Sequence, residues 1–324
     1  MQALYRMGAT HEWIGTPAIL VTSASKYDFL RRLYRYPLLG NKNKFAGPMK
    51  KFVQLVYAWI HQQRLKPIER VLDKISEHAV EDISFAIPEF SGEFYLDARS
   101  SIFRRIAREG RYERELTKLC SNLIDRNRDI VDVGANIGLY SVLFAKTAPA
   151  SRVLAVEPVP AAYERLLKNT KRNDVDTSIV SYNGAVGAET GQMQIKVIDG
   201  QEEYSTLGMM AHPSTRGREW RQQAVPLTTL DQLVQQHQLD PGFVKIDVEG
   251  FEHLVLRGAR KTLTECRPKI LAELSDELLR KNGSSAMEVV KFLEDVLDYR
   301  CTNPLKPEQE FRAQAYGDVL CIPN

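Results

Sequence analysis

Four cysteines are scattered through 324 residues, as Cys120, Cys266, Cys301 and Cys321, with no Cys-x-x-Cys pair and no metal-ligand spacing. The six histidines are equally dispersed, and neither His-x-x-x-His nor His-Glu-x-x-His occurs, so no structural zinc is expected. The cysteines read as reduced packing residues of a cytosolic protein. No secretory leader is expected from these residues: Glu12 comes early, and the apolar stretch Ala18–Val21 is brief. The run Phe52–Ile60 is interrupted by Gln54 and falls far short of the roughly 20 residues that a membrane span needs. There is no internal repeat and no low-complexity tract. None of the thirteen tyrosines has a lysine four positions on, which removes the Tyr-x-x-x-Lys signature of one nicotinamide-dependent class. No Asp/Asn-Pro-Pro-aromatic motif of a nucleic-acid N-methylating enzyme follows residues 245–250.

Charge is the first positive signal. Residues 1–75 hold 13 lysines and arginines against 4 acidic residues, a charge of +9, whereas the remaining chain carries 31 basic and 37 acidic residues, a charge of −6. A basic segment attached to a mildly acidic domain raises the prospect of an anionic partner, whether phospholipid, phosphorylated glycan or nucleic acid. Within it, Lys50–Ile75 carries Phe52, Leu55, Val56 and Ile60, then Ile68, Val71, Leu72 and Ile75 after Pro67, all at helical spacing. Two readings stay open: a helical cap packed on its own domain, or an interfacial helix on an anionic membrane surface. The expected division is a basic, mostly helical extension over 1–80 and a larger domain over 81–324. In the second, 81–128 is a lead-in with a short strand at Phe94–Leu96 and one helix over Ile102–Leu123 that includes Tyr112-Glu113.

From Asp129 the chain alternates short apolar strands with helices. The strands are Ile130–Val133, Val153–Val156, Ile179–Tyr182, Phe243–Ile246 and Lys269–Leu274. They are β-branched and apolar, as parallel strands covered on both faces must be. Ala161–Asn173, Phe251–Glu265 and Ala286–Leu297 read as helices. Strand candidates at Tyr299–Thr302 and Asp318–Ile322 bracket a Pro/Glu-rich hairpin. The fold class is therefore α/β: a Rossmann-like, doubly wound, mostly parallel sheet with an antiparallel C-terminal strand.

The segment Asp129–Lys146 carries most of the chemistry. A strand ending in Asp132 and Val133 runs into Gly134-Ala135-Asn136-Ile137-Gly138 and then into an apolar helix, which turns backbone N–H groups toward a ligand. It is not the dinucleotide Gly-x-Gly-x-x-Gly, because Asn136 and Leu139 stand where the second and third glycines would be. A nicotinamide-dependent sugar-modifying enzyme is accordingly the weaker alternative. The next strand ends in Glu157-Pro158, 23 residues after Gly134. An acidic side chain there suits a free ribose diol and repels a 2′-phosphate; it could otherwise serve the dipole of the helix that follows. A second cluster, Phe243–Glu252, delivers Lys245 and Asp247 at alternate strand positions, so both point to one side. Glu249, Glu252 and His253 follow. Asp247, Glu249 and His253 are the catalytic candidates: a crowded carboxylate can act as a base, and His253 is either a packing residue or the proton acceptor. Asp247 and Glu249 could hold a divalent cation, which the sequence does not require, and no metal ligand is assigned.

Eight short motifs in order resemble the FkbM family of S-adenosylmethionine (SAM) methyltransferases over about two thirds of the chain. They are Arg111-Tyr112-Glu113, Val131–Gly138, Val156–Pro158, Asn169 with Asn173, Asn183–Gly187, Thr229-Leu230-Asp231, Lys245–Gly250 and Ile270–Glu273. The resemblance implies SAM as donor and O-methylation of a hydroxyl, most often on a sugar of a glycan, glycolipid or secondary metabolite. Under it, Asp132, Gly134, Asn136 and Gly138 hold the amino-acid end of SAM, and Glu157-Pro158 holds the ribose. Asn183 and Ala185 contact the adenine edge, and Tyr112-Glu113 fold over the donor unless Tyr112 merely packs. Ser205–Gly208 and the loop to Val225 form the acceptor wall. The expected partner is a sugar-containing or other hydroxylated acceptor and not nucleic acid. The expected localisation is cytoplasmic, with peripheral membrane attachment through the N-terminal segment as the extension of that reading. A non-catalytic binding protein that keeps the fold is the other alternative.

Overall fold

Short apolar runs that must be buried on both faces become the middle of an eight-stranded sheet. The computed structural model describes residues 68–78, 82–198, 220–311 and 316–324. All belong to the larger of two compact units, Leu39–Asn324; the smaller, Met1–Leu38, lies outside the described residues. So do the amphipathic stretch from Lys50 to Pro67 and the Ser205–Gly208 segment.

The domain opens with a helix over 68–78 (α1) and a hairpin of β1 (Ile83–Ile87) and β2 (Gly92–Leu96). Leu72 of α1 is buried, Asp73 pairs with Arg104 at 2.9 Å, and Ser76 Oγ donates to the Ala98 carbonyl at 2.9 Å. Residues 68–78 thus pack on the domain. The single helix expected over Ile102–Leu123 is two, α2 (Ser101–Glu109) and α3 (Arg114–Leu123). Gly110 stops the first with φ 68°, and Glu113 starts the second with φ 46°. Tyr112 and Glu113 therefore lie in a connection, where backbone geometry outweighed a continuous helical pattern.

The strands β3 (Asp129–Val133), β4 (Val153–Val156) and β5 (Ile179–Tyr182) follow, with α4 (Leu139–Thr147) and α5 (Pro160–Arg172) between them. A small sheet not foreseen from the sequence comes next: β6 (Ala185–Val186), β7 (Gly191–Val197) and β8 (Arg221–Thr228), in the order β6-β8-β7. Then come α6 (Leu230–Gln236), β9 (Pro241–Ile246), α7 (Glu252–Arg257), α8 (Arg260–Glu265), β10 (Lys269–Ser275), α9 (Asp276–Lys281) and α10 (Ala286–Lys291). The expected helix Phe251–Glu265 breaks at Gly258. A Cβ there would lie 1.9 Å from the Gly187 carbonyl oxygen, so two backbones meet where only glycine fits.

The main sheet has the order β12-β11-β13-β10-β9-β3-β4-β5. From β10 to β5 the pairing is parallel. Three C-terminal strands, β11 (Tyr299–Asn303), β12 (Lys306–Glu310) and β13 (Tyr316–Pro323), are antiparallel; β11 and β13 coincide with the two strand candidates, and β12 falls in the hairpin between them. The strand missed, β12, is proline- and glutamate-bearing edge sequence of low strand propensity. The chain order reverses around β3 and β9, so the ligand crevice of an open α/β sheet lies beyond their carboxyl ends.

One sheet face buries Val131, Val133, Val244, Ile246, Ile270 and Ala272, and the other buries Ile130, Phe243 and Leu271 with Tyr140 and Phe144. Asn169 and Asn173 tie α5 to the free edge of β2. Asn169 Oδ1 accepts from Tyr95 N at 2.7 Å and its Nδ2 donates to the Ile137 carbonyl at 2.8 Å; Asn173 accepts from Glu93 N at 3.1 Å and donates to the Glu93 carbonyl at 2.8 Å. Both asparagines answer backbone groups that would otherwise lack partners. Among the described residues, no helix is long and apolar enough to cross a membrane.

Candidate functional site

The glycine turn and the loop after β9 are interlocked. Asp247 N donates to the Val133 carbonyl at 3.0 Å, and Gly134 N and Ala135 N donate to the Val156 carbonyl at 3.0 and 2.9 Å. Gly134 has φ 81°, and a Cβ on it would come within 1.8 Å of the Asp247 carbonyl oxygen. Gly138, φ 85°, begins α4 against Leu166. Asn136 is itself left-handed at φ 50°, which aims its N–H at Glu157 Oε2, 2.8 Å away.

Glu157 is buried and accepts a second bond from Val159 N at 2.8 Å. Burial raises its pKa to about 7, while the two N–H groups pull the other way. The carboxylate therefore clamps the turn after β3 to the start of α5, and it retains lone pairs for further donors. Asp132 is fully buried: Oδ2 accepts from Ser141 Oγ at 2.6 Å, while Oδ1 has no partner. Pro158 occupies the short link ahead of α5, and Asn183 donates to the Glu157 carbonyl at 2.9 Å. Ala185 is not with them. Its side chain packs with Val159, Ala162 and Ile195 under the small sheet, because it belongs to β6 and not to the end of β5.

On the other side of the crevice, Lys245 Nζ donates to Asp247 Oδ2 at 2.9 Å and lies 4.7 Å from the centre of the Tyr140 ring. Tyr140 in turn donates its hydroxyl hydrogen to Glu113 Oε2 at 2.8 Å. Burial works against the Lys245 charge, but Asp247 and Asp132 outweigh it and hold the ammonium protonated. Glu113 thereby reaches the crevice from the unforeseen break between α2 and α3. Tyr112 packs on Phe90 at 6.1 Å with Arg105 stacked on it at 5.0 Å, the packing alternative of the two readings.

Glu249 and Gly250 are left-handed, at φ 52° and 94°. The tight loop they form is held by Glu252, whose Oε1 accepts from Gly250 N at 3.0 Å. Glu252 is fully buried with Oε2 unpartnered, and burial raises its pKa to about 7. It staples the loop that carries Asp247 and Glu249. His253 does not join that group. It is buried against Phe251, its pKa is lowered by burial and by Arg257, and its charged neighbours are Arg257 and Glu288. The helical step after Glu252 turns the imidazole away from Asp247.

Two carboxyl groups were missed as site residues. On one sheet face Ile130 and Phe243 are paired in register, and the next row toward the strand ends is Asp132, Lys245 and Leu271. One step further come Asp247, just past the end of β9, Glu273 on β10 and, directly opposite Glu273, Asp318 on β13. Burial holds Glu273 protonated at neutral pH, reinforced by Asp247 and Asp318. Burial also raises Asp318, to about 6, against the pull of Lys245. The signal for Glu273 was present: alternation puts it on the Leu271 face, and Ile270–Glu273 is one of the family-like motifs. Asp318 carried none, since only the antiparallel register brings it there. Among the described residues, no three histidine, cysteine or acidic side chains are grouped to hold a metal ion.

The donor implied by the resemblance, SAM, fits these residues. A glycine cradle with no room for a Cβ, an unpartnered buried Asp132 oxygen and a preoriented Glu157 carboxylate are the groups that would hold its amino-acid end and ribose diol. Residues 132–301 match the methyltransferase FkbM domain. The chain is 26% identical over 163 residues to methyltransferase 1 of Beauveria bassiana, covering 45% of this chain and 64% of that protein. It is 26% identical over 207 residues to the hexuronic acid methyltransferase AglP of Haloferax volcanii, covering 61% of this chain and 78% of that protein. The crystal structure of methyltransferase FkbM from Methylobacillus flagellatus is similar with a TM-score of 0.42 and 18% identity, over 65% of this chain and 46% of that one. The chain thus spans just under two thirds of the first relative and under half of the crystallised one. With the domain model matching more than half of its length, and a glycine turn and acidic loop meeting at the switch point of the sheet, this chain belongs to the FkbM methyltransferase family.

Proposed function

We propose that the protein is a SAM-dependent O-methyltransferase whose acceptor is a hydroxyl of a sugar. The observation that carries the reading is the interlock of Gly134 with the Asp247 loop, which joins a donor cradle to a row of carboxyl groups. When bound, SAM supplies an electrophilic methyl group to an oxygen nucleophile.

This chain's residues do the rest. The Gly134–Gly138 turn and Asp132 orient the amino-acid end, and Glu157 accepts from the ribose hydroxyls. Asp247, held in place by Lys245, would accept the hydrogen bond of the acceptor hydroxyl and take its proton as the oxygen gains positive charge on bonding to the methyl carbon, the broken carbon–sulfur bond leaving its electrons on sulfur. Glu249 borders the same loop. Glu273, neutral at working pH, donates a hydrogen bond, and Asp318, ionised above about 6, accepts one. Two carboxyl groups of opposite protonation suit the donors and acceptors of a polyhydroxylated ring better than an apolar acceptor. Holding the reacting oxygen in line can lower the barrier by ~7–11 kcal/mol. The hexuronic acid specificity of the Haloferax relative supports a sugar as acceptor class.

Calorimetry with S-adenosylhomocysteine, followed by mass spectrometry of glycans and glycolipids from cells with and without the gene, tests the two halves. Binding that weakens in Glu157→Ala and a methyl group lost from a sugar hydroxyl are the expected results. Absence of binding, or a methyl lost from RNA or DNA instead, rejects the reading.

A further inference from the structure

Two of the four cysteines are not isolated. Cys301 on β11 and Cys321 on β13 are directly opposed in the antiparallel register, and their Sγ atoms are 2.7 Å apart. Opposed residues of antiparallel strands have Cα atoms ~4.5–5.5 Å apart, inside the ~4.4–6.8 Å that a disulfide spans. Both side chains lie in the apolar cluster with Tyr299, Leu293 and Val319, and each thiol has the other as its hydrogen-bonding neighbour. Alternation along β13 points Cys321 and Val319 to the face opposite Asp318, so the pair lies on the sheet face away from the row of Asp247, Glu273 and Asp318.

We propose that Cys301 and Cys321 form a thiol–disulfide site whose oxidant is a low-molecular-weight disulfide of the glutathione class. The pair is closed to solvent, with exposures of 1% and 0%. Burial, with Cys301 beside it, also pushes the Cys321 thiol up and keeps it protonated. Exchange therefore follows local opening of the sheet end. That end is weakly held: β12 pairs with β11 through only Thr302–Glu310 and Asn303–Lys306, with an irregularity between them. Once a thiol is exposed, its thiolate attacks the glutathione disulfide, forms a mixed disulfide and releases one glutathione thiolate. The second cysteine thiolate then attacks the mixed disulfide at the protein sulfur and releases the other glutathione. Two protein thiols are oxidised, one glutathione disulfide is reduced, and the two protons lost by the protein thiols end, through solvent, on the two released glutathione thiolates. The product pins β13 to β11, and β13 is the strand that holds Asp318 beside β10.

The experiment uses the reduced full chain, incubated with increasing oxidised glutathione in buffer and at urea concentrations below the unfolding transition. Remaining thiols are then capped with N-ethylmaleimide. The expected product is lighter than the reduced, uncapped chain by two hydrogens at the linked pair and carries two caps, on Cys120 and Cys266. Non-reducing tryptic mapping yields residues 301–312 joined to residues 313–324. The thermal midpoint rises by about 5 °C on oxidation, and Cys321→Ala abolishes that rise. The mapping alone decides the matter if the variant folds poorly. Four caps at every oxidant and urea level, a lasting glutathione adduct on Cys301 or Cys321, or linkage through Cys120 or Cys266 overturns the assignment.

Discussion

The two sides of the crevice are built differently. The proposed donor side is local and made largely of backbone: Gly134 to Glu157 spans 24 residues and closes through N–H groups of Gly134, Ala135, Asn136 and Val159. The proposed acceptor side is made of side chains from remote segments, with Lys245 on β9, Asp247 just beyond it, Glu273 on β10, Asp318 on β13 and Glu113 in the α2–α3 connection. Backbone cradles tolerate no added atom, whereas a shared carboxylate row redistributes charge when one member changes. The donor side should therefore fail abruptly on substitution, and the acceptor side by degrees.

The largest effect is expected at Gly134. Gly134→Ala places a methyl group 1.8 Å from the Asp247 carbonyl and strains a φ of 81°, so S-adenosylhomocysteine affinity should fall more than ~100-fold, or about 3 kcal/mol. Gly317→Ala, where nothing lies within 4 Å, is the matched control and should leave calorimetric binding unchanged. Similar losses in both variants would erase the contrast between the two sides.

Asp247→Asn separates the sides kinetically. It keeps the shape and the backbone link to Val133 but removes the charge opposite Lys245. Turnover should drop ~10²–10⁴-fold while donor affinity stays within about threefold, or ~0.7 kcal/mol. A parallel loss of donor binding would make Asp247 part of the cradle instead.

Glu252 tests whether the loop joining the sides is held by a protonated carboxyl. Its folded pKa of about 7 lies above the ordinary glutamate value of about 4.3. Its stabilising contribution is thus complete below pH ~4 and is lost as pH rises through about 7. Glu252→Gln keeps the neutral shape at all pH values. Its thermal midpoint should match the wild type near pH 5 and exceed it progressively toward pH 8, by on the order of 2–3 kcal/mol of stability. A constant offset across that range would mean that Glu252 is ionised throughout in the folded protein.

The same contrast explains what the sequence could reveal. Gly134, Gly138 and Glu157 were readable because a strand, a turn and the next strand end carry their geometry within one short window. Lys245 and Asp247 were readable from alternation along one strand. Glu113 was assigned to a helix interior because Ile102–Leu123 keeps helical periodicity through Gly110, and only the two left-handed residues reveal the break. Asp318 could not be found, because its place depends on an antiparallel register set by a hairpin of weak strand propensity. His253 was brought forward by proximity in sequence, which one helical step undoes. Ala185 was placed at the end of the third strand, where the chain has already turned into a second sheet.

Family-like motifs need not be site residues, and Asp231 allows the smallest and sharpest test of that. In Thr229-Leu230-Asp231, Thr229 caps α6 by accepting from Gln232 N at 3.2 Å. Asp231 reaches across to the next helices, accepting from Lys261 N at 3.0 Å, Thr262 N at 2.8 Å and Thr262 Oγ1 at 2.7 Å. These are the free N–H groups at the start of α8, where a carboxylate answers both the unpaired donors and the helix dipole. The contact lies behind the sheet, away from the glycine turn and from the row of Asp247, Glu273 and Asp318. Asp231→Ala should lower stability by about 1–2 kcal/mol in chemical denaturation, with Thr262 N left to water. Donor affinity and turnover, measured well below the unfolding transition, should remain within twofold of wild type, or ~0.4 kcal/mol. A turnover loss larger than the donor-binding loss would instead couple this cap to the acceptor side, through α7 and the loop that Glu252 holds.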